Sequence, residues 1–180
     1  MKGEFFLIGA LLICLLLFFG LPPEIRMEST AAEDLRFFSD NLGHEIPHAL
    51  NLGLNGSDPV GTLYNFTGFS ISRATDLRFN MTCYWVLFMQ QGNAVNVTAG
   101  NFMGSARTFE IEVDGNKKYL QVTPDGVNST TFAVSGYTFK VIINSGGDSK
   151  EATLLTNKTS VYSFISLDRR GSTVRKEILA

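Results

Sequence analysis

The sequence is poor in the residues that build the common catalytic and metal centres. Its 180 residues include only two histidines, two cysteines and one tryptophan. It contains no Gly-x-Ser-x-Gly elbow, phosphate-binding loop, paired-cysteine cluster or dinucleotide-binding glycine pattern. With the two histidines set aside, neither a Ser-His-Asp nor a Cys-His constellation can be assembled. The sequence therefore predicts a protein that is not an enzyme and that needs no cofactor.

An excess of positive charge is also missing. The chain carries 15 lysines and arginines against 17 acidic residues, which gives a net charge of −2 with the two signs interspersed. Such a balance offers no basic surface to neutralise phosphates, so nucleic acid is not an expected partner. The length suits a single domain together with an anchor.

The two cysteines give no disulfide framework. Cys14 lies inside an apolar run near the start, whereas Cys83 lies in the middle of the remaining chain. The two side chains are expected in different solvents, so a bond between them is not predicted. Cys83 is expected to be a small buried hydrophobe.

The one long apolar run lies near the amino terminus. Residues 5–21 read FFLIGALLICLLLFFGL, with neither charge nor proline, and Pro22 and Pro23 follow. A helix of these 17 residues is about 25 Å long, close to the ~30 Å hydrocarbon core of a bilayer. A spanning anchor, a cleaved secretory signal and a buried core helix are the alternatives. The anchor is favoured because no small-residue cleavage site directly follows the run.

The charges on either side of the run indicate its orientation. Lys2 precedes it, whereas Glu24 and Glu28 follow it. This bias favours an amino terminus inside the cell. We therefore expect a single-pass protein of the cell membrane that contacts lipid through residues 1–23 and has an extracellular body.

The first residues carry a resemblance to a known family. They read Met1-Lys2-Gly3-Glu4-Phe5-Phe6-Leu7-Ile8-Gly9. This start resembles the class III signal peptide of archaeal type IV pilin-like proteins, in which a basic residue and a glycine precede the peptidase cut. The resemblance implies that Gly3 precedes the cut and that Glu4 becomes the new amino terminus. It further implies self-assembly or binding to other surface proteins. Bacterial pilins carry a glutamate at the fifth mature position, where this chain has Ile8, so anchoring is favoured over filament assembly.

A helical neck is predicted between the anchor and the rest of the body, over residues 24–76. Thr30-Ala31-Ala32-Glu33 matches a capping box. Apolar residues at positions 35, 38, 42 and 46 then predict a helix over residues 31–46. Asp58-Pro59 marks the start of a second helix, with a capping side chain followed by proline. Its predicted apolar stripe consists of Val60, Leu63, Tyr64 and Phe69.

From Phe79 onward the apolar period changes from helical spacing to two. Residues 79, 81, 83, 85, 87 and 89 share one face of a long predicted strand. Further strands are predicted at residues 95–98, 108–113, 118–123, 130–135, 138–144, 152–156, 160–167 and 173–178. Turns are predicted at Asp114-Gly115, Pro124-Asp125-Gly126 and Gly146-Gly147-Asp148. The fold class is thus mainly β, with an antiparallel β-sandwich, Ig-like or jelly-roll-like, over residues 77–180.

The chain is rich in N-glycosylation sequons. They lie at Asn55, Asn65, Asn80, Asn96, Asn128 and Asn157. Half of the twelve asparagines are thus in sequons, whereas chance predicts about two. Asn80 and Asn96 are expected to point into solvent, because they alternate with apolar neighbours. The set predicts a glycosylated, exported body.

One segment matches a zinc-binding motif. His44-Glu45-Ile46-Pro47-His48 fits His-Glu-x-x-His, in which two histidines one helical turn apart hold zinc and the glutamate acts as a base. Pro47 is expected to end the helix and to destroy this register. A third histidine is also missing. We therefore expect His44, Glu45 and His48 to face solvent at a helix end, with no metal.

The predicted function is that of a membrane-anchored extracellular structural or adhesive surface protein, as a pilin-like subunit or accessory. Two alternatives from other classes stay open. One is a membrane-anchored zinc-dependent hydrolase that uses His44, Glu45 and His48. The other is an anchored ligand-binding module.

Overall fold

The computed structural model describes residues 31–180, which form one compact unit. The predictions for residues 5–21, for Gly3 and Glu4, and for the capping residue Thr30 lie outside the described residues. Among residues 31–180, neither helix is long and apolar enough to cross a bilayer.

Two helices come first, α1 (Ala31–Asn55) and α2 (Pro59–Asp76). The start of α2 is as predicted: Asp58 is the N-cap, and its Oδ1 accepts a hydrogen bond from the Gly61 amide at 2.8 Å. Leu63 of the predicted stripe is buried, but Phe69 is exposed, so its placement in the stripe was wrong. The buried face of α2 continues instead through Thr67, Ser70 and Ala74.

The first helix is longer than predicted. It continues through Pro47 to Asn55, so the prediction that Pro47 ends it was wrong. Proline removes one helix bond, the one to the Gly43 carbonyl. The apolar stripe does not stop there, however, because Ala49 and Leu50 are buried beyond Pro47. Their burial offsets the missing bond.

Nine strands follow, at the nine predicted places. They are β1 (Asn80–Gln91), β2 (Ala94–Phe102), β3 (Arg107–Val113), β4 (Asn116–Val122), β5 (Gly126–Ala133), β6 (Thr138–Ser145), β7 (Asp148–Leu155), β8 (Ser160–Arg169) and β9 (Ser172–Leu179). They pair antiparallel into a five-stranded sheet, β5-β2-β1-β8-β9, and a four-stranded sheet, β4-β3-β6-β7. The mainly-β class and the sandwich of two antiparallel sheets are confirmed.

The tight turns follow from residues that adopt positive φ. Asp114 and Gly115, at φ 47° and 81°, link β3 to β4. Arg170 and Gly171, at φ 51° and 84°, link β8 to β9 in the same way. Two consecutive positive φ values are typical of the type I′ turn, whose twist matches that of the strands.

The core between the two sheets is apolar and aromatic. Alternate residues of each strand point into it, including Tyr84, Val86 and Phe88 from β1 and Phe109 and Ile111 from β3. The Tyr84 ring stacks on Phe164, with 5.2 Å between the ring centroids. This core joins the two sheets.

A second core lies on the other face of the five-stranded sheet. The remaining residues of β1, namely Met81, Cys83, Trp85 and Leu87, pack there against α1 and α2. The central strand β1 is therefore buried on both faces, which the sequence analysis did not anticipate. The residues predicted as a neck include two helices that form a third layer on the sandwich.

Candidate functional site

The predicted metal residues lie on the solvent side of α1. His44, Glu45 and His48 are all exposed, as predicted. Because α1 continues through Pro47, the two histidines keep their one-turn spacing, contrary to the prediction. Within residues 31–180, no group of three or more histidine, cysteine, aspartate or glutamate side chains is close enough to hold a metal ion.

The six sequon asparagines are spread over several surfaces of the body. Five of them are exposed, namely Asn55, Asn65, Asn80, Asn128 and Asn157. Asn96 was predicted to project into solvent, but it is half-buried. It points to the side of the sheet opposite to its buried neighbours Val95 and Val97, which is the side that carries the helical layer. Asn157 lies in a turn with φ 65°.

The buried cysteine is not poised for chemistry. Burial raises the pKa of Cys83 to about 12, so the thiol is protonated at neutral pH. Burial likewise raises the pKa values of Tyr84 and Tyr162. These groups act as core residues, and Trp85 and Phe88 are buried with them.

A cavity of about 10 Å³ lies beside Cys83, between the helices and β1 and β8. Two polar atoms of its lining residues, Trp85 Nε1 and Ser163 Oγ, have no hydrogen-bond partner among the described residues. Trp85 and Ser163 face each other across the β1–β8 pair. The volume is that of about one water molecule, which is too small for an organic ligand.

The outer face of the four-stranded sheet carries a polar depression of about 390 Å³. Glu110, Tyr119 and Asn144 form one cross-strand row in it. Lys117 Nζ lies 2.9 Å from Glu110 Oε1 and lowers the pKa of that carboxyl through a hydrogen bond. The exposed side chains pair with one another, which is typical of a solvated sheet face.

A further groove, of about 520 Å³, lies at the end of the body where α1 begins. We call it the amphiphilic groove. It is lined by Asp34, Phe37, Phe38, Asn41, Arg73, Leu77, Phe79 and Arg169. These residues come from the first turns of α1, the end of α2, the approach to β1 and the end of β8.

The base of the amphiphilic groove is held by aromatic and ionic contacts. Arg169 Nη1 donates to Asp34 Oδ2 at 2.8 Å, and its guanidinium lies 5.3 Å from the centroid of the Phe79 ring. Phe38 meets Phe79 edge-on, with 5.6 Å between the centroids. Cation–π and edge-to-face geometries of this kind fix side-chain orientation. The base is therefore preformed.

The rim combines exposed apolar side chains with arginine. Phe37 is 70% exposed and Leu77 is 40% exposed. Arg73 is also exposed, and its Nη1 lies 3.8 Å from Asp76 Oδ2. An exposed ion pair at this distance holds neither side chain firmly. Five donors on the guanidinium of Arg73 allow it to bind a further anion.

Arg78 follows the rim residue Leu77 in the chain and has a strained backbone conformation. Its φ is 61°, in the left-handed region where glycine is the usual residue. The helix α2 ends there in a Schellman arrangement: the Phe79 amide donates to the Ala74 carbonyl at 2.8 Å, and the Arg78 amide donates to the Thr75 carbonyl at 2.9 Å. An arginine thus occupies an exposed position at which glycine would cost less free energy.

No sequence pattern indicated the amphiphilic groove. Phe37, Leu77 and Arg169 are far apart in the chain and belong to no motif. The only local signal was the apolar Phe37 at a position outside the predicted helical stripe. No known protein family matches the chain, and no characterised protein is significantly similar to it.

Proposed function

We propose that this protein is a single-pass surface protein of the cell membrane. Residues 5–21 anchor it, the amino terminus lies inside the cell, and the three-layered body lies outside. The role of the body is structural or adhesive, without catalysis. The single observation that carries the proposal is the uncharged, proline-free run of residues 5–21, whose transfer from water to lipid is strongly favourable.

The distribution of the sequons supports an external body. Five of the six sequon asparagines are exposed. They lie on the two helices, at the start of β1, on β5 and in the connection between β7 and β8. A glycan needs an accessible asparagine on an exported domain. Exposure of these residues makes glycosylation compatible with the folded body.

The test is to purify the native protein from membranes and to measure its intact mass and its glycopeptides. We expect the protein in the membrane fraction, resistant to alkaline extraction, with a mass increased by glycans. Native protein recovered from the cytosol without glycan would overturn the proposal.

A pilin-like role is a narrower proposal than that of an anchored surface protein. It requires cleavage between Gly3 and Glu4, and recovery of the protein in filaments or bound to them. The same mass measurement locates the mature amino terminus. A mature protein that begins at Met1 would remove the pilin-like role, but it would leave the anchored surface protein in place.

A further inference from the structure

The amphiphilic groove includes residues from the first turns of α1, which is the first element of the described body. We propose that this groove is the membrane contact of the body: Phe37 and Leu77 enter the headgroup region, and Arg73 and Arg78 bind lipid phosphate groups. The inference rests on the proposed function, because it requires the anchor.

The length of chain before α1 limits the distance of the groove from the bilayer. Residues 22–30 separate the apolar run from Ala31, where α1 begins. Nine residues span at most about 30 Å when fully extended, and less in any other conformation. Phe37 lies only two helical turns beyond Ala31. The groove is therefore within reach of the headgroups.

The chemistry of the rim fits a bilayer surface. Phenylalanine and leucine side chains of surface-bound proteins bury at the boundary between headgroups and acyl chains, and arginine binds phosphate through parallel hydrogen bonds. The exposed Phe37 and Leu77 supply the apolar part, and Arg73 and Arg78 supply the cations. The acidic Asp34 does not oppose this, since its Oδ2 is bound to Arg169.

Arg78 lies in the chain between two residues that line the groove, Leu77 and Phe79. A left-handed arginine costs stability that a glycine at this site would not. The side chain is exposed and makes no contribution to either core. A membrane contact would use this cation.

The experiment uses the full chain in vesicles of phosphatidylcholine and phosphatidylglycerol whose acyl chains are brominated near the headgroups. Phe37→Trp places a fluorophore in the groove. Tyr137→Trp is the matched control: Tyr137 is 90% exposed and directly precedes β6, and its carbonyl accepts a hydrogen bond from the Thr156 amide. Three residues earlier, the Val134 amide donates to Asn93 in the β1–β2 turn, at the end of β1 opposite to Phe79. Trp85 is present in every variant as a constant buried background.

We expect the brominated acyl chains to quench the tryptophan fluorescence of Phe37→Trp at least twice as strongly as that of Tyr137→Trp. Adding Arg73→Gln and Arg78→Gly should reduce that excess by half or more, whereas Arg78→Gly alone should raise the unfolding midpoint. Leu77→Trp is a second reporter, should Phe37→Trp fail to fold. Equal quenching at the two ends overturns the inference.

Flotation of the vesicles separates the two proposals. A chain that floats with the lipid but shows equal quenching loses the groove contact and keeps its anchor. A chain that does not float, after reconstitution from detergent, overturns both.

Discussion

At the scale of single residues, the backbone of Gly100 lies directly against the ring of Trp85. These residues are paired across β1 and β2, and a Cβ atom at position 100 would collide with the indole ring. We expect Gly100→Ala to lower the free energy of unfolding by about 1–3 kcal/mol, because overpacking forces the ring or the strand to move. Urea unfolding followed by Trp85 fluorescence measures this.

Gly68 provides the matched control for that substitution. It lies in α2, and a Cβ atom there would meet nothing within 4 Å. Gly68→Ala should therefore raise the free energy of unfolding by about 0.5–1 kcal/mol, through helix propensity alone. Equal effects of the two substitutions would contradict the close packing of Trp85 on Gly100.

The thiol of Cys83 gives a second prediction at this scale. Burial raises its pKa to about 12, and alkylation requires the thiolate. In a Cys14→Ser background, iodoacetamide at pH 8 should leave Cys83 unmodified in the folded protein and modify it in urea. The measurement is the mass of the protein before and after treatment. Rapid alkylation without urea would show that the second core is open to solvent.

At the scale of elements, the strands and the start of α2 were predictable, whereas the carboxyl end of α1 was not. Alternation and turn residues such as Asp114-Gly115 act locally, so the nine strands could be located from sequence. The end of α1 depends on burial of Ala49 and Leu50 against distant strands, which outweighs the local effect of Pro47. The amphiphilic groove has the same origin, because tertiary packing alone brings its residues together.

Substitution of Pro47 tests this explanation of where α1 ends. Replacement by alanine restores a donor for the Gly43 carbonyl and removes the clash of the ring with that carbonyl. Part of the gain is lost because alanine makes the unfolded chain more flexible. We expect Pro47→Ala to raise the free energy of unfolding by about 1–2 kcal/mol, measured by urea unfolding. A loss of stability would mean that the helix depends on a bend at Pro47.

At the scale of the whole molecule, the helices and the sheets depend on one another. Two ion pairs join α1 to β8 and β9: Arg169 to Asp34 at 2.8 Å, and Lys176 to Asp40 at 2.6 Å. Lys176 lowers the pKa of Asp40 by a hydrogen bond. The larger contribution comes from the second core, because apolar burial exceeds what exposed ion pairs provide.

The fragment of residues 77–180 tests this dependence. Removing α1 and α2 uncovers one face of the five-stranded sheet, including Met81, Trp85, Leu87 and Ile165. A contiguous apolar surface of this kind drives association. We expect the fragment to aggregate or to bind the dye ANS, with Trp85 emission shifted to longer wavelength, whereas residues 31–180 stay monomeric with blue-shifted emission. Size-exclusion chromatography and fluorescence measure both. A monomeric fragment with unchanged Trp85 emission would mean that the sandwich is stable alone and that the helices are a separate neck.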